Sequence, residues 1–310
     1  MKTMSKINVA VIGFGHLGSK HAQIYTSFDN VNLKAACDTD ESKLQKISSD
    51  CGAKPYLDYR KLISEEDIQA ASICVPTELH YQIAKDCLQK NIHVLVEKPV
   101  TNTVKQADEL LKLAKRRKLI FQVGHVERFN SAFQAVQELV KKPLFIECHR
   151  LSPFPGRSLD IGVVLDLMIH DIDIILGLVR SKPKHIDAVG VNVLTQYEDI
   201  ANVRINFQNG CVCNLTASRV SDETMRKIRI FVKDTYISLD YVKQEAFIYR
   251  KESDKITCQQ MQIEKEQPLQ KELGDFINCV VTNHKPVVSG LEAREALDLA
   301  IKIKNQIWRR

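Results

Sequence analysis

The segment NVAVIGFGHLG, residues 8–18, decides the fold of the N-terminal part of the chain. A short apolar run predicts a β-strand, and a Gly-x-Gly-x-x-Gly pattern follows it directly and opens a predicted helix. In this context Gly13 permits a tight turn, Gly15 lets a pyrophosphate approach the backbone, and Gly18 allows close helix packing. The helix N-terminus also stabilises phosphate charge. The residues predicted to contact a dinucleotide here are Gly13, Phe14, Gly15, His16, Leu17 and Gly18.

An acidic residue ends the second predicted strand, at the interval expected after such a glycine turn. Asp38 is placed to accept hydrogen bonds from the adenosine ribose hydroxyls, and its charge would repel the 2′-phosphate of NADP. No arginine follows immediately, since the next residues are Thr39 and Asp40, so the sequence predicts NAD as the cofactor. Two simpler interpretations stay open: a glycine turn without a ligand, and Asp38 as the N-cap of the next helix.

The first 123 residues repeat an alternation of strand and helix that is typical of a parallel sheet covered by helices. Predicted strands cover residues 8–12, 33–37, 71–75, 93–96 and 120–123. Helical periodicity covers residues 16–27, 41–51, 78–89 and 103–117. The sequence therefore predicts an α/β Rossmann domain over residues 1–123.

The pattern changes after about residue 124, where strands follow one another without helices between them. A helix is predicted at 131–141, a strand at 144–151 and an apolar helix at 163–179; further strands are predicted at 186–194, 201–207, 211–217, 228–232, 236–239 and 246–249. Helices at 269–282 and 291–308 end the chain, the second with a capping-box spacing from Ser289 to Glu292. Successive strands indicate a largely antiparallel, open sheet, so residues 124–310 are predicted to form an α+β domain.

Composition limits the classes of partner and compartment. The net charge of +6 arises from 44 basic and 38 acidic residues, and the longest basic run is residues 115–118, which argues against nucleic-acid binding. The nine cysteines are scattered without a Cys-x-x-Cys pair, which predicts a reducing compartment, no disulfide framework and no zinc site. The first residues contain no apolar stretch of signal-peptide or membrane-span length. We therefore expect a cytoplasmic protein that does not insert into membranes.

Lys98 lies in the sequence Val96-Glu97-Lys98-Pro99, directly after the fourth predicted strand. Parallel sheets bind their ligands at the carboxyl ends of the strands, so Lys98 is predicted to lie at that edge. A partly desolvated lysine loses its proton more easily and can hold or deprotonate a substrate hydroxyl. The alternative is a surface lysine without a role in catalysis.

The predicted helix at 163–179 is apolar apart from three acids and one histidine. At about 100° per residue, Asp166, His170 and Asp173 fall within a stripe of roughly 60°, whereas Asp171 points elsewhere. One interpretation makes His170 a general base oriented by a carboxylate, and the other makes the group a structural His/Asp cluster. A catalytic zinc site is disfavoured, because a third ligand is not identified.

These motifs, in this order along the chain, resemble the Gfo/Idh/MocA oxidoreductases over essentially the whole sequence. The resemblance rests on residues 13–18, on residues 97–99 and on the spacing from Asp166 through His170 to Asp173; Met168 stands where the family usually has glycine. It implies that Lys98 and His170 handle the proton, and that Asp166 and Asp173 position the substrate and the base.

The same resemblance implies further contacts to the cofactor and to other copies of the chain. A loop beside the nicotinamide ribose is expected to include Val75, Pro76, Thr77 and His80, with Glu97 and Lys98 also at the cofactor. Members of this family form homo-oligomers through the open sheet of the C-terminal domain, which implies a homodimer or homotetramer.

Residues 124–130 and 152–157, with the polar helix, resemble the branch of this family that oxidises UDP-N-acetylglucosamine at the sugar 3-hydroxyl. In that branch a partner aminotransferase converts the 3-keto product to an amino sugar that feeds a modified lipid A. Bidentate arginine donors suit a diphosphate or a sugar. The predicted substrate contacts are Arg128, Asn130, Arg150, Arg157 and Arg219. Two alternatives stay open: another sugar or polyol dehydrogenase, such as an inositol-type enzyme, and a nucleotide-sensing regulatory protein without turnover.

Overall fold

The structure, a computed structural model, describes residues 6–154, 156 and 161–309. The chain forms two compact units. The first unit contains the residues up to 125 together with 269–294, and the second contains residues 126–268 together with those from 295 onward. The predicted domains, 1–123 and 124–310, place their boundary two residues before that of these units. They differ at the C-terminus, where residues 269–294 return to the first unit.

Within the described residues, six parallel strands form the sheet of the first unit, in the order β3-β2-β1-β4-β5-β6. The strands are β1 (Ile7–Ile12), β2 (Val31–Cys37), β3 (Lys54–Tyr56), β4 (Ala70–Ile73), β5 (His93–Glu97) and β6 (Phe121–Gly124). The order reverses between β1 and β4, which is where such sheets bind dinucleotides. The predicted α/β Rossmann class is confirmed. The three-residue β3 was not predicted, because it is too short to show a pattern.

Helices connect these strands: α1 (His16–Thr26), α2 (Leu44–Cys51), α3 (Tyr59–Glu65), α4 (Thr77–Gln89) and α5 (Val104–Arg117). The predicted helix at 41–51 is divided into a 3-10 turn, Glu41–Lys43, and α2, and α3 was not predicted. A capping box starts α5, since Gln106 N donates to Thr103 Oγ1 at 3.3 Å and Thr103 N donates to Gln106 Oε1 at 3.2 Å.

In the second unit, eight described strands form a sheet in the order β14-β13-β12-β11-β7-β10-β9-β8. The strands are β7 (Phe145–Leu151), β8 (Pro183–Val191), β9 (Ile200–Phe207), β10 (Val212–Ser218), β11 (Met225–Val232), β12 (Thr235–Asp240), β13 (Glu245–Glu252) and β14 (Lys255–Gln260). Neighbouring strands are antiparallel except for β7 with β10. The predicted, largely antiparallel class is confirmed. β14 was not predicted, and all its residues are exposed.

The helices of the second unit include α6 (Ser131–Gln137) and α7 (Ile169–Val179). The predicted helix at 163–179 is not a single α-helix, because Val164–Met168 form a π-helical turn before α7. Glu198 caps that turn, since its Oε1 accepts a hydrogen bond from Val164 N at 3.3 Å. Gly162 leaves the space for this carboxylate, because a Cβ there would lie 2.0 Å from it.

The chain closes with α8 (Pro268–Thr282) and α9 (Gly290–Ile307). Leu273, Phe276 and Ile277 of α8 are buried in the core that also contains residues of β1. This apolar face explains why residues 269–294 belong to the first unit. Half of the predicted capping box of α9 is present: Ser289 N donates to Glu292 Oε2 at 3.0 Å, whereas Ser289 Oγ accepts from Leu291 N at 3.3 Å. Every helix in the described parts of the chain is too short or too polar to cross a lipid bilayer.

Candidate active site

The glycine turn after β1 has the backbone geometry that its predicted role requires. Gly13 has a φ of +91°, and a Cβ on it would lie 2.5 Å from the carbonyl oxygen of Cys74. A Cβ on Gly18 would lie 1.7 Å from the carbonyl oxygen of Gly13. Gly15 differs, because no other atom lies within 4 Å of its Cβ position. Two glycines therefore allow the turn to form, and the third leaves open space beside the N-terminus of α1.

Asp38 follows β2 directly, and its carboxylate already accepts hydrogen bonds within the first unit. Oδ2 accepts from Phe14 N at 2.8 Å, and Lys43 Nζ lies 3.0 Å from the same atom. Oδ1 accepts from Asp40 N at 3.0 Å. Asp38 is not the N-cap of the next helix, because Asp40 caps the 3-10 turn through Ser42 N. Lys43, five positions after Asp38, was not predicted as a contact of this carboxylate.

A cavity of about 590 Å³ lies at this edge of the first unit's sheet and is large enough for an organic ligand. Its lining includes Gly13, Gly15, Asp38, Val75 and Pro76. The space beside Gly15 suits a pyrophosphate, and Asp38 supplies an acceptor for ribose hydroxyls. The residues present therefore fit NAD.

The side chains between the glycines differ in what they offer to a ligand. Phe14 is buried, so only its backbone faces the turn, whereas His16 and Leu17 are exposed at the start of α1. Thr77, in the predicted nicotinamide loop, is half-buried as the first residue of α4.

Lys98 is half-buried and follows the carboxyl end of β5, as predicted. Glu97, the residue before it, is buried, and its Oε1 lies 3.2 Å from His21 Nε2. Burial raises the pKa of Glu97, but the hydrogen bond from His21 and the charges of His21, Lys98 and His80 outweigh burial and leave the pKa below its usual range. The structure corrects the predicted cofactor contact of Glu97, because this carboxylate points into the unit.

His80 is also buried, with an exposed fraction of 1%. Its Nδ1 lies 2.8 Å from the Pro99 carbonyl oxygen, and its Nε2 lies 2.9 Å from the Val75 carbonyl oxygen. Burial lowers the pKa of His80 below its usual range, although the two carbonyl contacts and the charge of Glu97 oppose this shift. The structure corrects the predicted cofactor contact of His80, since both ring nitrogens are engaged with backbone oxygens.

The predicted polar side chains of the second unit differ in burial. Asp166, in the π-helical turn, and His170, in the first turn of α7, are both half-buried. Asp173 is buried, and its Oδ2 accepts a hydrogen bond from Arg128 Nε at 2.7 Å. The Arg128 guanidinium lies across Gly177, where a Cβ would be 2.5 Å from it. Asp166 and His170 thus keep the access that proton transfer needs, whereas Asp173 is held in an ion pair.

Arg150 is not available as a substrate donor. It is 3% exposed and donates from Nε and Nη2 to both oxygens of Asp171, at 3.0 and 2.8 Å. Its Nη1 donates to Glu127 Oε1 at 2.8 Å. The structure therefore corrects the prediction for Arg150, whose three donors neutralise two buried carboxylates.

Arg219 and Asn130 are likewise internal. Arg219 is fully buried and donates to Asp199 Oδ1 at 2.7 Å, and its other donors bond Ile161 O and Thr195 Oγ1 at 2.8 Å. Asn130 is 2% exposed and caps α6 by accepting from Ala132 N. The predicted substrate roles of these two residues are corrected to structural ones. Arg157 lies outside the described residues.

The sequence of β7 indicates that Arg150 is internal. Burial alternates along β7, so Ile146, Cys148 and Arg150 face the core together. An arginine at a core-facing strand position needs buried acidic partners. That period-2 pattern predicts an internal Arg150, although it does not identify Glu127 or Asp171 as the partners.

Comparison with known proteins identifies both parts of the chain. Residues 7–125 match the family described as "Oxidoreductase family, NAD-binding Rossmann fold", and residues 133–238 match "GFO/IDH/MocA C-terminal domain". The chain is 34% identical to UDP-N-acetylglucosamine 3-dehydrogenase of Acidithiobacillus ferrooxidans over 97% of each sequence. It is 26% identical to myo-inositol 2-dehydrogenase of Thermotoga maritima over 97% of this chain and 96% of that protein.

Solved structures show the same fold. The crystallised UDP-N-acetylglucosamine 3-dehydrogenase GnnA of Acidithiobacillus ferrooxidans superposes with a TM-score of 0.92 at 32% identity, covering 98% of each chain. Levoglucosan dehydrogenase in complex with NADH and levoglucosan superposes with a TM-score of 0.89 at 17% identity, also covering 98% of each chain.

Proposed function

The chain belongs to the Gfo/Idh/MocA family and is an NAD-dependent dehydrogenase, and from this premise we propose that it oxidises the 3-hydroxyl of UDP-N-acetylglucosamine to the 3-keto sugar. The observation that carries the proposal is the 34% identity to an enzyme of that name along 97% of both sequences. The open glycine turn and the acceptor Asp38 support the choice of NAD.

In the proposed mechanism the chain's own groups bind the cofactor and move one proton. The turn around Gly15 receives the pyrophosphate, and Asp38 accepts from the ribose hydroxyls. Bound NAD+ supplies the hydride acceptor. Lys98 and His170 are the two proposed acceptors for the proton of the sugar hydroxyl, and Asp166 orients the substrate and the base. Asp173 acts only indirectly, because its ion pair holds the Arg128 side chain against α7.

A second candidate is oxidation of a free polyol such as an inositol. The observation that favours it is the engagement of Arg150 and Arg219 in buried ion pairs, which leaves fewer arginines for a diphosphate. The 26% identity to a myo-inositol 2-dehydrogenase is consistent with this alternative. The two candidates share the cofactor site and differ in whether a nucleotide is recognised.

NADH absorbance separates the two candidates. Purified protein is mixed with NAD+ and, in parallel, with UDP-N-acetylglucosamine, free N-acetylglucosamine and myo-inositol. A glutamate-dependent aminotransferase is added to remove the 3-keto product, since that equilibrium is unfavourable. NADH formation only with the UDP-sugar supports the proposal. NADH formation with myo-inositol and none with the UDP-sugar refutes it and supports the polyol candidate.

Substitution of the proposed proton-handling residues should affect turnover much more than cofactor binding. We expect Lys98→Met and His170→Asn each to lower kcat by at least ~100-fold, because general acid–base catalysis contributes that much. Lys112→Met, on the exposed side of α5, is the matched control and should keep normal turnover. Cofactor affinity is measured by titration with NADH fluorescence. Near-normal kcat in Lys98→Met or His170→Asn would remove that residue from the mechanism.

The proposed assembly is a homodimer or homotetramer in the cytoplasm, with an aminotransferase as its functional partner. A row of stacked aromatic rings supports an interface on the sheet of the second unit: Phe145, Phe231, Tyr236 and Tyr249. They lie opposite buried residues such as Ile146 and Ile237, hence on the other face of the sheet. Tyr236→Lys should shift the mass measured by light scattering toward the monomer. An unchanged mass would place the interface elsewhere.

A further inference from the structure

The residues before and after Lys98 are each in contact with a buried histidine. Glu97 contacts His21 of α1 at 3.2 Å, and the carbonyl of Pro99 contacts His80 of α4 at 2.8 Å. The two histidines are 0% and 1% exposed, so neither ring can itself meet a substrate. Lys98 therefore lies between two fixed points that come from different helices.

His80 joins the loops that follow two neighbouring strands. One ring nitrogen contacts Pro99 O after β5, and the other contacts Val75 O after β4, at 2.9 Å. A neutral imidazole has one N–H and satisfies one of these carbonyls, whereas a protonated ring donates to both. In either state the ring sets the separation of the two loops. Val75 lines the cavity that fits NAD, so this contact joins the cofactor cleft to the Lys98 loop.

His21 makes a second bridge, through opposite edges of its ring. Nε2 faces Glu97 Oε1, and Nδ1 lies 3.5 Å from Cys74 Sγ. The possible ligand atoms of these three residues lie within 4.8 Å of one another, which is close enough to hold one metal ion. However, Cys74 Sγ and Glu97 Oε1 contact different nitrogens of the His21 ring, and a single metal ion coordinates only one of these two nitrogens. The geometry favours a bridge through the imidazole ring, with an ion-pair contact to Glu97, over a metal site.

The Glu97 carboxylate is enclosed on a further side. A Cβ on Gly124 would lie 3.0 Å from the carboxylate carbon and from both its oxygens. Gly124 therefore leaves room for the Glu97 carboxylate, and a larger side chain at this position would contact it. Because Glu97 cannot move toward β6, its contact with His21 fixes the backbone from which Lys98 starts.

We propose that His21 and His80 are positioning residues for Lys98, which hold the residues on either side of it and connect it to the elements that bind the cofactor. His21 belongs to the helix that begins at the glycine turn, and His80 contacts a loop that lines the cavity. The inference rests on the proposed role of Lys98 in proton transfer. Neither histidine is a catalytic residue, because neither touches the reacting atoms.

The first test measures the environment of Lys98 without any turnover. Limiting acetylation of the full-length protein, followed by peptide mass spectrometry, gives the reaction rate of the Lys98 amine. We expect His80→Leu and His21→Leu to change this rate by at least ~3-fold, because a displaced amine meets different solvent and different charged neighbours. His80→Gln and His21→Gln keep a side-chain donor and should lie closer to the wild type. They also serve if a leucine variant fails to fold.

The matched control is His93, at the opposite end of β5. Its Nδ1 accepts a hydrogen bond from Ile120 N at 2.9 Å, so it too is a structural histidine on the same strand. His93→Leu should lower the melting temperature and leave the acetylation rate of Lys98 unchanged. An unchanged rate in the folded His80 and His21 variants would overturn the proposal.

The second test is a double-mutant cycle in turnover. His80→Leu should lower kcat by at least ~10-fold in the wild-type background, because a displaced catalytic group loses its geometry. In the Lys98→Met background the same change should cost less than ~2-fold, because its effect acts through Lys98. Equal losses in both backgrounds would contradict positioning. Normal turnover of Lys98→Met, with altered acetylation in the histidine variants, would instead refute the proposed role of Lys98 and leave the positioning contacts supported.

Discussion

The two units differ in how they accommodate charged groups. At the ligand edge of the first unit's sheet, the glycine turn offers backbone N–H groups and open space at Gly15. In the second unit, buried arginines are neutralised by acids of the same unit, as in the pairs of Arg150 with Asp171 and of Arg219 with Asp199. The first arrangement depends on the absence of side chains, and the second depends on finding a partner for each. Only the first can be recognised from a short stretch of sequence.

The largest expected effect comes from breaking a buried pair in the second unit. Arg150→Met removes the donors to Glu127 and Asp171 and leaves Glu127 only the longer contact with Arg226 at 3.8 Å, which should lower the free energy of unfolding by about 3–5 kcal/mol. Arg229→Met is the matched control, because Arg229 pairs with Glu147 at 3.2 Å on an exposed part of the same sheet. The control should lose less than ~1 kcal/mol.

Urea unfolding followed by circular dichroism measures both Arg variants. Equal stability of Arg150→Met and Arg229→Met would show that the buried network is dispensable. It would also reopen the prediction that Arg150 contacts substrate.

The next effect tests whether the glycine turn acts through its backbone. Gly18→Ala places a methyl group 1.7 Å from the carbonyl oxygen of Gly13, so it should both destabilise the fold and lower NAD affinity by at least ~10-fold. Gly15→Ala meets no atom within 4 Å, so it should keep the melting temperature and weaken only NAD binding. Calorimetric titration with NADH and a thermal melt distinguish the two. Unchanged NADH affinity in Gly15→Ala would move the pyrophosphate away from this turn.

The contrast between the units also explains how much of the fold and of the site could be predicted from the sequence. The strand–turn–helix at residues 8–18, Asp38 after β2 and Lys98 after β5 were placed correctly, because parallel strands end at one edge of the sheet. Arg150 and Arg219 were assigned to substrate because a charged residue in a sequence shows no partner. The roles of Glu97 and His80 came from the resemblance, whereas the structure gives both residues internal contacts.

Two further features of the fold could not be predicted from local sequence patterns. The π-helical turn Val164–Met168 depends on Glu198, which caps it from a later part of the chain. The return of residues 269–294 to the first unit depends on the apolar face of α8, and the sequence of that face does not identify which core it joins. Both features are set by contacts distant in sequence, which a window of neighbouring residues does not contain.

The smallest effect concerns an exception within the first unit. Glu272 of α8 is fully buried, and neither of its carboxyl oxygens has a hydrogen-bond partner among the described residues. Burial raises its pKa well above the usual range, and the charges of Glu97 and Asp275 raise it further, so the folded protein keeps this carboxyl neutral. The unfolded chain releases the proton above about pH 4.3. Stability from this group is therefore complete at low pH and declines as pH rises.

Glu272→Gln keeps the shape and removes the titration. We expect its melting temperature to exceed that of the wild type by roughly 1 to 3 °C at pH 8. The difference should shrink toward pH 5, as measured by thermal melts across this range. A difference independent of pH would mean that Glu272 is ionised in the folded state, and the contrast between paired and unpaired buried acids would have to be revised.

The return of α8 to the first unit has a consequence for synthesis on the ribosome. About 140 residues, 126–268, are translated between β6 and the helix that supplies Leu273, Phe276 and Ile277 to the core of the first unit. At 5–20 residues per second this interval lasts roughly 7 to 30 s. During that time the part of this core that α8 later covers is exposed, although α1 already packs against β1, so we expect chaperones that bind exposed apolar segments to recognise the growing chain.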